Sequence, residues 1–197
     1  MRSQQYPEIV VITTVVSNFR FGRLTNVDAA TTPDRQTSPP SVGEPRWLDQ
    51  TEMTAWRAFI ETTHDLVAAL DDDLQRNFGI TLGDYEVLVF LSEAPDRQMR
   101  MCDLAARLHL SPSGLTRRLD GLVRDGLVAR VPSQADRRVL HAALTETGFA
   151  HLEQAAPTHV ESVRARLLDP LTPDQVAQLG TIFLAVRAAL DASANDV

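Results

Sequence analysis

In the middle of this chain, two segments with apolar stripes at helical spacing are separated by only three residues, and the second runs through Asp125-Gly126 into two short stretches of alternating pattern. Few folds accept that order. The first segment, MCDLAARLHL, places Leu104, Ala105 and Leu108 on one face. After the break at residues 109–111, Ser111 can accept from the free N–H groups of a following helix, and Pro112 suits that helix's first position. Leu115, Leu119, Leu122 and Val123 form the inward stripe of this second helix. At 100° per residue its opposite face carries Ser113, Arg117, Asp120, Gly121 and Arg124, with Thr116 at the edge. Arg117 therefore points away from the core, while Arg118 lies at the boundary, placed to reach a backbone or to brace the fold.

Beyond Gly126, LVARV (127–131) reads as a strand, PSQADRR as a turn with a basic tip, and VLHAAL (139–144) as the returning strand, with Leu140, Ala142 and Leu144 on one face. Helix, turn, helix and hairpin together predict a winged helix-turn-helix, in a chain that is mainly α with a small β-wing. The charge supports a nucleic-acid-facing role for this region. Residues 97–141 hold nine arginines and four aspartates, a local net of +5, within a chain whose formal net charge is −7. All 19 basic residues are arginine, whose fork geometry suits phosphate and base edges. A locally basic segment in an acidic body is the footprint of a specific DNA binder with little background affinity.

Helical periodicity also flanks this region. Trp56, Phe59, Ile60, Thr63, Leu66, Val67, Leu70 and Leu74 predict one long amphipathic helix ending near Gly79, and residues 82–93 a shorter one closed by Pro95. Leu152, Val160, Val163 and Leu167 predict another long helix, bent at Pro157. Thr172-Pro173-Asp174-Gln175 reads as a capping box opening a last helix with Leu179, Ile182, Phe183, Val186 and Leu190 on one face. The expected division is a disordered N-terminal extension (1–45), a helical dimerisation region (46–80 and 146–192) and the winged helix-turn-helix (81–145). The Pro-, Ser- and Thr-rich stretch at residues 30–46 carries the first of these.

The residues LAARLHLSPSGLTRRLDGLVRDGLVAR, with the ADRR tip and the helix start LTETG, resemble the MarR family of bacterial transcription regulators. The resemblance spans residues 47–190. It implies a homodimer joined through the N- and C-terminal helices, bound to double-stranded DNA at a pseudo-palindromic operator, acting as a ligand-responsive repressor in the cytoplasm. It implies DNA contacts at Ser111, Ser113, Thr116, Arg117 and Arg118 in and before the second helix. In the wing it implies an Asp136 that orients a minor-groove Arg138, with Arg137 beside the phosphates. Gly114 departs from the pattern, offering no side chain where a threonine would also fit. The resemblance further implies a small aromatic or anionic effector held near Trp56, Phe59, His64 and Tyr85, with His151 and His159 in the same helices.

Other functions find less support. Glycine-rich phosphate loops and the GxSxG elbow do not occur, so no enzymatic activity, cofactor or metal is expected. No run approaches the roughly 18 consecutive apolar residues of a membrane span, so no membrane partner is expected. The run at residues 71–73, three aspartates, reads as a solvated face. Two alternatives stay open: a winged protein-interaction module without DNA, and an oxidant sensor using the single cysteine, Cys102.

Overall fold

The computed structural model describes residues 45–132 and 139–195. Their elements in chain order are α1 (Gln50–Phe78), α2 (Leu82–Glu93), a 3₁₀ turn (Pro95–Arg97), β1 (Gln98–Arg100), α3 (Met101–Arg107), α4 (Pro112–Arg124), β2 (Val128–Pro132), β3 (Leu140–Leu144), α5 (Glu146–Val163), a π turn (Arg164–Leu168) and α6 (Pro173–Asn195). The chain forms two compact units, the first ending at Asp65 and the second beginning at Leu66. The expected N-terminal extension lies outside the described residues, apart from its last position.

In the first unit, the described chain is the lead-in and first half of α1. Asp49 and Glu52 satisfy each other's backbone N–H groups at 2.8 and 3.1 Å, a reciprocal cap that starts the helix. Arg46 closes over the same carboxylate at 3.0 Å.

The second unit holds the core. Val87, Leu88 and Leu91 of α2, Leu104 of α3 and Leu115 and Leu119 of α4 are at most 1% exposed, and Leu74, Val128, Ala142, Leu152 and Ala155 close the same cluster. Each fully buried leucine contributes about 1.5–3 kcal/mol, so the stripes predicted for the two central helices are also their main anchors. The turns follow from backbone chemistry. Gly79 and Gly126 take the left-handed conformation at φ 69° and 73°, ending α1 and α4 where a side chain would be strained. The tight turn after α3 puts His109 at φ 52°, an unusual conformation for a residue with a side chain, and closes with the Leu110 N–H on the Ala105 carbonyl at 2.9 Å.

The sheet is larger than expected. Besides the β2–β3 hairpin, where Arg130 faces Ala142, β1 pairs antiparallel with β3, giving the order β1-β3-β2. Gln98-Met99-Arg100 has no alternating apolar pattern, so only the partner strand identifies it. On β3, Ala142 and Leu144 are buried as expected, but Leu140 is 45% exposed. Helix α5 contains Pro157 within its span, and the irregularity comes later, at the π turn.

The aspartate run at residues 71–73 is not simply a solvated face. Asp71 accepts the Leu82 N–H at 2.7 Å and so adds to the capping of α2, where Thr81 and Asp84 form a capping box. Asp73 accepts from the Ser162 hydroxyl at 2.6 Å and pairs with Arg166 and Arg76, each at 2.8 Å. The Ser162 hydrogen bond, aided by the two guanidiniums against opposing desolvation, holds the Asp73 carboxyl below its ordinary 3.8. A lowered carboxyl pKa stabilises the fold above the unfolded value and loses that contribution as pH falls through the folded one. Asp73→Asn is therefore expected to lower the Tm at neutral pH, with the gap to wild type closing as the pH drops below 3.8. A gap independent of pH would contradict this.

Candidate nucleic-acid interface

Helix α4 is positioned from both ends. Ser111 accepts the Gly114 N–H at 3.1 Å, with Pro112 at the first helical position, so the predicted cap is in place. Of its inward stripe Leu115, Leu119 and Leu122 are buried and Val123 is half-buried against the core, while Ser113, Thr116, Arg117, Asp120 and Arg124 are exposed along the outward side.

The individual side chains divide by task. Ser111 is committed to the cap, and its hydroxyl lies 3.2 Å from that of Ser113. Thr116 donates its hydroxyl to the Pro112 carbonyl at 2.9 Å, which leaves its methyl group and the hydroxyl's acceptor side as contact surface. Arg117 is exposed. Arg118, half-buried, turns onto the start of α2, where its Nη1 donates to the Thr81 hydroxyl at 3.4 Å and lies 3.8 Å from Asp84. It covers Gly83 so closely that a Cβ there would collide with the guanidinium. Of the two adjacent arginines, one is presented outward and the other braces the helix to the scaffold. Beside them runs a groove of about 620 Å³ lined by Thr81, Asp84, Leu110, Arg117, Arg118 and Arg124.

One residue that the sequence reading did not single out acts on this face. Arg130, from β2, donates to the Thr116 carbonyl at 3.1 Å and to Asp120 at 2.6 Å. No short-range pattern marks a bond between residues ten and fourteen positions apart on different elements. The wing residues Asp136, Arg137 and Arg138 lie outside the described residues.

The residues expected to hold a small molecule are divided between the two units. Trp56 and Phe59 are exposed on α1 with ring centroids 6.2 Å apart, and His64 is exposed one turn further on. Tyr85 is instead a core residue, 4% exposed, tilted against His159 with ring centroids 4.5 Å apart. Burial pushes the Tyr85 hydroxyl up to about 12 and the His159 imidazole below its ordinary value. The Tyr85 hydroxyl and His159 Nδ1 are buried polar atoms with no hydrogen-bond partner among the described residues, as is His151 Nε2. Cys102 is exposed, and its thiol donates to the Asp103 carboxylate at 3.4 Å. Among the described residues, no group of three or more His, Cys, Asp or Glu side chains could hold a metal ion.

Helix α6 modifies one expectation. Residues 173–193 are long and apolar enough to cross a membrane, with a mean hydropathy of 1.3 and none of the window buried. The count of consecutive apolar residues missed this, because isolated polar residues interrupt the run without lowering its mean below that of a span.

Comparison with known proteins places this architecture. The model of the MarR family matches residues 78–139. AbsC, a MarR family transcriptional regulator from Streptomyces coelicolor, is 39% identical with a TM-score of 0.71, the match covering 75% of this chain and 99% of AbsC. Sco3205, a MarR family regulator from the same organism solved in complex with DNA, is 38% identical over 75% of this chain and 92% of its own, also with a TM-score of 0.71. The transcriptional repressor YetL of Bacillus subtilis is 36% identical over 87 residues, 44% of this chain; the match spans about half of YetL, 52%.

Proposed function

This chain belongs to the MarR family of transcriptional regulators, and on that footing we propose that it is a cytoplasmic, ligand-responsive repressor that binds a pseudo-palindromic operator as a homodimer. The observation that carries the reading is the division of labour on α4. Leu115, Leu119 and Leu122 are buried to at most 3%, Ser111 caps the helix, Arg118 braces it, and Ser113, Thr116 and Arg117 are presented outward together. An outward guanidinium reads guanine edges in the major groove, and the Thr116 methyl suits a thymine methyl. Asp136 and Arg138 are assigned to the minor groove and Arg137 to the phosphates, as the family pattern implies; groove width and potential are what such an arginine senses.

The partner for α6 is a second copy of this chain. Ile182, Val186 and Leu190 are 57%, 49% and 62% exposed at steps of four residues. A membrane is the poorer cover, because Arg187 stands within the apolar stretch, paired to Asp191 at 3.4 Å, and an arginine at a bilayer centre costs about 2.5–3.5 kcal/mol even on the lenient insertion scale. The unpartnered Tyr85 hydroxyl and His159 Nδ1 support an effector with an aromatic ring and a polar or anionic group. Such an effector would act by favouring a conformation incompatible with the operator, in proportion to its differential affinity for the two states.

The test is fluorescence anisotropy with an operator duplex across a salt series. Wild-type affinity is expected to fall linearly on logarithmic axes as salt rises. Arg117→Ala is expected to weaken binding by about 1–3 kcal/mol and to relax the preference at one base position. Equal binding of the operator and a scrambled duplex by the wild type would overturn the reading.

A further inference from the structure

Strand β2 is an outer strand of the sheet, and among the described strands only β3 pairs with it. It is also the strand that leads into the wing tip. Its Arg130 does not project into solvent but crosses to α4, where one nitrogen, Nη2, donates to the Thr116 carbonyl at 3.1 Å and to the Asp120 carboxylate at 2.6 Å. Thr116 and Asp120 are the two ends of one helical turn, and Arg117 sits within that turn. Asp120 is 58% exposed on the outward face of α4, and Arg130 is 29% exposed beside it.

Two consequences follow from the charges and the geometry. A bare carboxylate on the face that meets DNA would repel phosphates; the guanidinium at 2.6 Å removes most of that penalty. An ion pair this exposed adds little to stability, so folding alone is a weak reason for this contact. Its second donation, to a helix carbonyl, pins a particular turn to a particular strand.

Resting on the DNA-binding reading above, we propose that Arg130 is a positioning residue for DNA recognition: it clasps the wing strand to the turn of α4 that carries Arg117, so that the wing and the helix meet the DNA in fixed register, and it masks the Asp120 carboxylate. Arg130 itself touches no phosphate. Its loss therefore loosens specific contacts without changing the number of phosphates neutralised.

The experiment uses the full chain and a duplex that the wild type enriches from a random-sequence library, with a scrambled duplex beside it. Arg130→Met, Asp120→Asn and the double variant are titrated across a salt series, with thermal melts in parallel. Arg130→Met is expected to lose about tenfold in affinity for the enriched duplex, within the range a displaced base contact produces, with its salt slope and melting temperature close to wild type. Adding Asp120→Asn to Arg130→Met should cause no further loss, because the two side chains act as one unit, and Arg130→Lys should recover part of the affinity. A salt slope reduced by about 0.9 would make Arg130 a direct phosphate contact and overturn the proposal. So would unchanged affinity, or losses that add in the double variant. If Arg130→Met does not fold, Asp120→Asn decides the matter. The clasp predicts weaker binding to the enriched duplex with no loss on the scrambled one, and tighter binding to the enriched duplex would refute it. A wild type that enriches no sequence would instead sink the DNA-binding reading, and this proposal with it.

Discussion

The double variant Ile182→Glu, Val186→Glu is expected to be a folded monomer that binds the operator on the order of 10²–10⁴-fold more weakly than wild type, the loss that follows when two linked recognition heads become independent. Helix α6 runs over 23 residues from a capping box in which Thr172 and Gln175 satisfy each other's backbone N–H groups. Its apolar side chains are exposed from residue 182 onward: Ile182, Phe183, Leu184, Val186 and Leu190 all present more than 40% of their surface. A patch of this kind marks an interaction surface. Two glutamates per copy would put four carboxylates into a desolvated interface, at a penalty of several kcal/mol per unpaired ion. Light scattering and operator anisotropy on the same samples provide the test. Retained helicity with halved mass and lost affinity is the expected result; a variant that stays dimeric, or a monomer that binds as well as wild type, would place recognition elsewhere.

The second large effect is on stability. Gly148→Ala is expected to cost about 3 kcal/mol or more, at the upper end for overpacking. A Cβ at this position would collide with the Leu127 carbonyl oxygen and stand 2.8 Å from Leu144 Cδ1. The first of these is backbone, and it cannot step aside. The Leu127 carbonyl already accepts from the Thr145 N–H and hydroxyl, each at 3.1 Å, while the Thr145 hydroxyl accepts the Gly148 N–H at 2.9 Å. One joint thus ties the start of β2, the end of β3 and the first turn of α5 together. A drop in Tm of about 10 °C or more is the expected reading. Gly180→Ala is the control, since nothing lies within 4 Å of the added methyl; helix propensity there favours alanine by about 0.5–1 kcal/mol. If the two variants melted alike, the joint at Gly148 would have no special role.

Much of this was legible in the sequence because it is local. The bounds of α2, the Ser111 and Thr172 caps, the glycine stops at Gly79 and Gly126 and the two faces of α4 all depend on residues within one or two turns of each other. Tertiary partners were not legible in that way. Strand β1 is defined only by its pairing with residues 141–143. Asp73 looks solvated until Ser162, 89 residues later, is folded against it. Tyr85 was read as an effector-binding group, and that its ring is 4% exposed against His159, 74 positions later, could not be read from spacing. Arg118 was left between backbone contact and brace, and its reach to Thr81 and Asp84 became visible only in the fold. Arg130, the central residue of β2, escaped notice because an arginine in a short strand is unremarkable until its partners across the fold are known.

The most direct test of the account is to select bound duplexes from a random library with the full-length wild-type protein and to read their sequence and footprint. A dimer presenting two copies of α4 predicts an enriched site with two-fold symmetry, its half-sites about one helical turn, 10–10.5 base pairs, apart, and protection on one face of the duplex. No enriched sequence, or a single half-site bound as tightly as the pair, would contradict it.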